Sequence, residues 1–121
     1  MKNLIQQLEA CKTELDKTFK NVKIRNPNFT HNRIENYAGL EFIADGKKAE
    51  KLREELKQKF NPEVGERGEM RIIELLDNKY ILEIVPYQGD GLDPKEETTK
   101  LVRELVHVLR NYAERHPKAV R

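Results

Sequence analysis

The chain has 121 residues, 37% of them hydrophobic and 36% charged, with Lys and Arg at 23 against Asp and Glu at 21 and a formal net charge of +2. That length holds one modest core and the apolar residues recur regularly, so residues 1–121 read as a single folded domain and not as disordered chain. The small net charge excludes a field that drives the whole chain onto nucleic acid or membrane, and a lone Cys11 excludes an internal disulfide or a thiolate metal cluster.

The opening run MKNLIQQLEACK lacks the unbroken apolar stretch of a signal peptide, and no window reaches membrane-spanning length. A cytoplasmic protein with no membrane partner is expected. Over residues 3–21, Leu4, Leu8, Cys11, Leu15 and Phe19, with Val22 beyond, fall in steps of three and four and predict a helix with a narrow apolar stripe. Such a stripe packs within the domain or forms a seam with a second copy.

Residues 23–36, KIRNPNFTHNRIEN, are rich in Asn and broken by Pro27, which predicts a loop, with 22–25 a candidate short strand before it. In YAGLEFIAD, Ala38, Leu40, Phe42 and Ala44 alternate with Gly39, Glu41 and Ile43, the pattern of a half-buried strand. DGKKAEKLREELKQKF follows as a helix with Asp45 as its N-cap, Ala49, Leu52, Leu56 and Phe60 on one side, and Pro62 ending it.

MRIIELLDNKYILEIVPY predicts a hairpin turning at Asp77-Asn78, two residues that tolerate positive φ. A plain two-residue turn pairs Leu75 with Tyr80, Ile73 with Leu82 and Arg71 with Ile84, setting Arg71, Ile73, Leu75, Tyr80, Leu82 and Ile84 on a helix-covered face. Met70, Ile72, Glu74, Leu76, Ile81, Glu83 and Val85 then share a less covered one. The last helix starts with Asp93 as N-cap, Pro94 at its first position and Glu96 completing a capping box. Its stripe is Leu101, Leu105, Val108, Leu109 and Tyr112, and Pro117 ends it. The class is α+β: an antiparallel sheet of three or four strands packed against an N-terminal, a central and a C-terminal helix.

Gly65-Glu66-Arg67-Gly68 matches the Gly-x-x-Gly pattern with which KH domains clamp RNA backbone between two helices. Glu66 and Glu69 repel phosphate, and the segment that follows reads as a strand, so a connecting loop is the better account of these glycines. The most site-like stretch is 17–34, which has no acidic residue. There Lys20, Lys23, Arg25 and Arg33 can neutralise phosphates, Phe29 can stack on a base, and His31 lies among four asparagines. Arg110, Arg115, Lys118 and Arg121 extend that patch if the terminal helices lie side by side.

Catalysis finds little support. His31, His107 and His116 have no metal-ligand spacing, and no phosphate-binding or dinucleotide fingerprint occurs, so no cofactor, metal or catalytic residue is assigned. Glu41, Glu74 and Glu83 on predicted strands can form paired carboxylates, yet no Lys follows Glu74 or Glu83 two residues on, as a metal-dependent nuclease sheet needs. The leading expectation is a non-catalytic binding or regulatory module that contacts another protein or a second copy through the helix-one seam and the less covered hairpin face. The alternative is nucleic-acid binding through Lys20, Lys23, Arg25, Phe29, His31 and Arg33. A carboxylate hydrolase is a distant third.

Overall fold

The structure, a computed structural model, describes residues 3–60 and 68–117. Its elements are α1 (Leu4–Asp16), β1 (Lys20–Arg25), β2 (Asn28–Thr30), β3 (Arg33–Asn36), β4 (Ala38–Ile43), α2 (Gly46–Lys59), β5 (Gly68–Glu74), β6 (Lys79–Pro86) and α3 (Pro94–Arg115). β1, β4, β6 and β5 lie side by side in that order as an antiparallel sheet, and β2 pairs with β3 in a separate ribbon. The α+β class holds, and the candidate strand at 22–25 is real and longer, starting at Lys20.

Local chemistry places the helix starts. Asn3 caps α1 in a reciprocal box with Gln6, Asp45 accepts the Lys48 N–H at the start of α2, and Asp93 accepts the Lys95 N–H at the start of α3. Glu96 does not close the box expected there; its carboxylate faces Lys100 Nζ instead, at 3.9 Å. α1 is also shorter than its stripe implied. It ends at Asp16, so Phe19 and Val22 are buried from the turn and from β1, not from a helix.

Two sequence expectations are corrected. Residues 28–36 are not an open loop. Phe29 pairs with Ile34 and Thr30 with Arg33, and the ribbon turns through His31 and Asn32 at φ 51° and 62°. The second correction concerns the β5–β6 hairpin. Asp77 and Asn78 do form its turn, at φ 59° and 61°, and Lys79 donates to the Leu76 carbonyl. But the Leu75 N–H donates to the Lys79 carbonyl, so Leu75 and Leu76 together oppose one residue.

That bulge shifts the register by one and turns β5 over relative to the expectation. Met70 pairs with Ile84, Ile72 with Leu82 and Glu74 with Tyr80. Met70 and Ile72 are therefore buried with Tyr80, Leu82 and Ile84, while Arg71 and Ile73 face away. The β6 half of the expected pattern stands and the β5 half is inverted.

The helices cover one face. Ala38, Leu40 and Phe42 of β4, Tyr80, Leu82 and Ile84 of β6, and Met70 and Ile72 of β5 share a core with Leu8, Cys11 and Leu15 of α1, Leu52 and Leu56 of α2, and Leu101, Leu105 and Leu109 of α3. Phe19 and Phe42 approach to 4.7 Å between ring centroids, Phe42 and Tyr80 to 5.8 Å, and Phe19 and Tyr112 to 6.2 Å, tying sheet to α3 at roughly 0.5–1.5 kcal/mol per pair beyond burial. The α1 stripe is spent inside this core against α3, which leaves no apolar seam on α1 for a second copy.

Glu14 joins α1 to α3. Burial alone raises its pKa, but the hydrogen bonds from Lys17 Nζ (2.8 Å) and Arg110 Nε (3.1 Å) outweigh it and hold the carboxyl below its usual range. Cys11 sits beside it with no access to water. Burial, with Glu14 adding, pushes the thiol pKa up to about 12, and its S–H lies 3.7 Å from the Val102 carbonyl.

Candidate functional site

Side chains alternate across a strand, so the registers fix which residues stand on the face without helices. On β1 they are Lys23 and Arg25, with Lys20 beyond a bulge at Asn21; on β4, Gly39, Glu41 and Ile43. β6 supplies Lys79, Ile81, Glu83 and Val85, and β5 supplies Glu69, Arg71 and Ile73. The central rows read Lys23–Glu41–Ile81–Ile73 and Arg25–Gly39–Glu83–Arg71.

Gly39 shapes the middle of this panel. A Cβ there would sit 2.8 Å from the Leu82 carbonyl oxygen, and the Ile81 Cγ2 stands 3.5 Å from the vacant position. Ile81 thus leans into the gap and is 4% exposed although no helix covers it. Charges lock the centre: Arg25 Nε lies 2.9 Å from Glu41, and Arg71 lies 3.1 Å from Glu69 and 3.9 Å from Glu83. No carboxylate among the described residues pairs with Lys20, Lys23 or Lys79.

At one end the panel runs into the hairpin tip, where the bulge pushes apolar side chains outward. Leu76 is 84% exposed, Ile73 38% and Leu75 37%. Leu75 and Leu76 border a hollow of about 690 Å³ shared with Glu74, Asp77 and Lys79. At the other end Arg25, Asn26, Glu35, Asn36, Tyr37 and Glu83 line a polar hollow of about 540 Å³.

The basic stretch singled out in the sequence is only partly gathered. Lys20, Lys23 and Arg25 share the edge strand β1, with Arg25 already engaged by Glu41. Arg33 and His31 are exposed at the tip of the separate ribbon. Phe29 is not a free stacking face: it is half-buried against the core. Arg110 is held by Glu14 and Arg115 by Glu55, so neither extends the patch; Lys118 and Arg121 lie outside the described residues.

The three glutamates do not converge either. Glu41 and Glu83 stand on the helix-free face with arginine partners, whereas Glu74 shares the row and face of Tyr80. Among the described residues no group of three or more His, Cys, Asp or Glu is placed to hold a metal ion. No helix among them is long and apolar enough to cross a membrane. Gly65 lies outside the described residues, but Gly68 opens strand β5, so the second helix that a KH clamp needs is absent at 68–74.

Sequence reasoning missed the tip. The repeat of apolar residues at Leu75-Leu76 before a turn was its available signal, since a strand with one buried face has no use for two leucines in succession. Comparison with family models, with curated proteins and with solved structures finds no match, so the functional reading rests on geometry.

Proposed function

We propose that this chain is a non-catalytic binding module that grips an acidic protein with the helix-free face of its sheet, the Ile73–Leu75–Leu76 tip serving as apolar anchor. The observation that carries the reading is that tip: large apolar side chains, exposed together on a rigid hairpin and rimmed by charge, as at the centre of a protein interface. A partner that bears acids is favoured because the face sets Lys20, Lys23, Arg25, Arg71 and Lys79 against Glu41, Glu69 and Glu83, an excess of two cations. The same excess opposes packing of the face on a second copy of itself. Nucleic acid fits less well, because Glu41 and Glu83 stand mid-panel where a phosphate would lie and Phe29 offers no open ring.

Size adds a constraint. Four strands about 4.8 Å apart and six residues at about 3.3 Å each make a panel of roughly 400 Å². A stable interface takes roughly 800 Å² per partner, so the panel alone is too small and the tip must contribute. The test is a charge placed at the anchor. Ile73→Asp with Leu76→Asp should leave the protein folded, with the loss of thermal midpoint coming from Ile73, which is 38% exposed, and not from Leu76, which is 84% exposed, and should abolish retention of the partner. Multi-angle light scattering separates the rival: a wild-type dimer that the double substitution does not disturb contradicts the reading.

A further inference from the structure

We infer that the outer edge of β1 accepts an extended acidic segment of a partner protein as a fifth strand. The inference rests on the reading above that the partner is an acidic protein, and it adds to that face the backbone edge of β1, which carries the face's Lys20, Lys23 and Arg25.

Both edges of the sheet, β1 and β5, present backbone groups that need partners. Two hydrogen bonds set the phase of the whole ladder: Leu75 N–H to the Lys79 carbonyl and Ala44 N–H to the Asn78 carbonyl. In an antiparallel ladder bonded pairs alternate, so β5 turns Arg71 and Ile73 toward β6 and leaves Met70 and Ile72 pointing outward. On the other side β4 turns Gly39 and Glu41 toward Arg25 and Lys23, which leaves the N–H and C=O of Ile24 and Val22 pointing outward from β1.

The two edges are treated differently. On β5 the Arg53 guanidinium of α2 donates from Nη2 to the Ile72 carbonyl at 2.9 Å, occupying an acceptor in the middle of that edge. On β1 no hydrogen bond among the described residues reaches the outward groups of Val22 or Ile24. Its length is bounded by the bulge at Asn21 (φ 54°) on one side and by Pro27, which has no N–H, on the other. The open edge is a docking slot for about five residues, roughly 17 Å of strand.

Charge selects the occupant. A fifth strand would place every second side chain about 5 Å from Lys23, which pairs with no carboxylate among the described residues, or from Arg25, whose Nε already meets Glu41 at 2.9 Å. An acid is stabilised chiefly at Lys23, and a lysine there is repelled. A second copy of β1 meets its own cations there and is excluded. The alternate side chains lie beside Ile24, which is half-buried against the core and leaves apolar surface to cover. The recognised pattern is therefore an acidic residue alternating with an apolar one, bound by main-chain pairing.

The experiment titrates 15N-labelled protein with a capped octapeptide of alternating Glu and Val. The same peptide with Lys in place of Glu, and an oligothymidylate, serve as controls. The Glu peptide should shift the Val22 and Ile24 amides and slow their exchange. Lys23→Glu with Lys20→Glu should weaken its binding by on the order of tenfold while the thermal midpoint stays put. The Lys peptide should not bind. Equal binding of both peptides, or shifts confined away from Val22 and Ile24, overturns the inference. So does oligothymidylate shifting Lys23, His31 and Arg33 where the Glu peptide leaves β1 unmoved. Ile73→Asp with Leu76→Asp should still bind the peptide. If the peptide fails while those substitutions still abolish partner retention, the edge inference falls and the face reading stands.

Discussion

Gly68→Ala should be one of the most damaging single-atom changes in the chain. A Cβ on Gly68 would stand 2.4 Å from the Val85 carbonyl oxygen, 2.8 Å from the Pro86 Cα and 2.6 Å from the Leu101 Cδ1. The leucine methyl can rotate away, but the two backbone atoms belong to the adjacent strand β6 and can yield only if the hairpin opens. Overpacking costs roughly 1–3 kcal/mol, and contacts this short with backbone place Gly68 at about 3 kcal/mol. An unfolding entropy of about 2.1 cal/mol/K per residue gives about 0.25 kcal/mol/K for 121 residues, so the midpoint should fall by about 12 °C. Differential scanning calorimetry reads this directly. The control is Gly46→Ala at the start of α2, where a Cβ meets only the Tyr80 hydroxyl at 3.7 Å. That change should be neutral or stabilise by up to about 1 kcal/mol. A Gly68→Ala midpoint within 2 °C of wild type, or a Gly46→Ala loss as large as that of Gly68→Ala, would refute the close packing of β5 on β6 and α3.

Gly39→Ala should cost less, about 1–2 kcal/mol, because one contact, with the Leu82 carbonyl at 2.8 Å, is below 3.0 Å; urea midpoints rank it between the other two glycines. Glu14 carries a pH signature. Its folded pKa lies below the unfolded value of about 4.3, so its stabilisation is present above that pH and disappears as pH falls through the folded value. Glu14→Gln should flatten the acid limb of the stability curve and cost roughly 1.5–3 kcal/mol at pH 7, measured by urea unfolding across pH. Cys11, with its thiol pKa pushed up to about 12, should resist maleimide labelling in the native protein and react at once in denaturant; fast native labelling would contradict the α1–α3 packing.

The parts of this fold that were legible are those written in local chemistry. Asp45 and Asp93 announce their helices because a side-chain carboxylate satisfies an orphan N–H, and Ala38, Leu40, Phe42 and Ala44 announce β4 because period-two burial has one physical cause. The hairpin turn at Asp77-Asn78 was legible for the same reason. Its facing was not. Both registers put good hydrophobic residues on either side of β5, and the choice lies in the Leu75–Leu76 bulge, whose hydrogen bonds depend on the twist of the pair.

The β2–β3 ribbon escaped because His31-Asn32 is not one of the Asn-Gly or Asp-Gly pairs that mark a hairpin turn, and two paired apolar residues, Phe29 and Ile34, make a weak strand signal. The basic segment illustrates the limit for sites. Composition put Lys20, Lys23, Arg25, His31 and Arg33 in one stretch, but pairing sent them to an edge strand and a separate ribbon and gave Arg25 to Glu41, sixteen positions away. Long-range partners of that kind leave no mark in the local sequence.

The face itself can be watched through its methyl groups. Protein labelled at Ile and Leu methyls and bound to its captured acidic partner should show shifts at Ile43, Ile73, Ile81, Leu75 and Leu76, with Ile5 and Leu92 unmoved. Shifts at Ile5 or Leu92 with the Ile73 and Leu76 signals unchanged would place the contact elsewhere and contradict the proposed function.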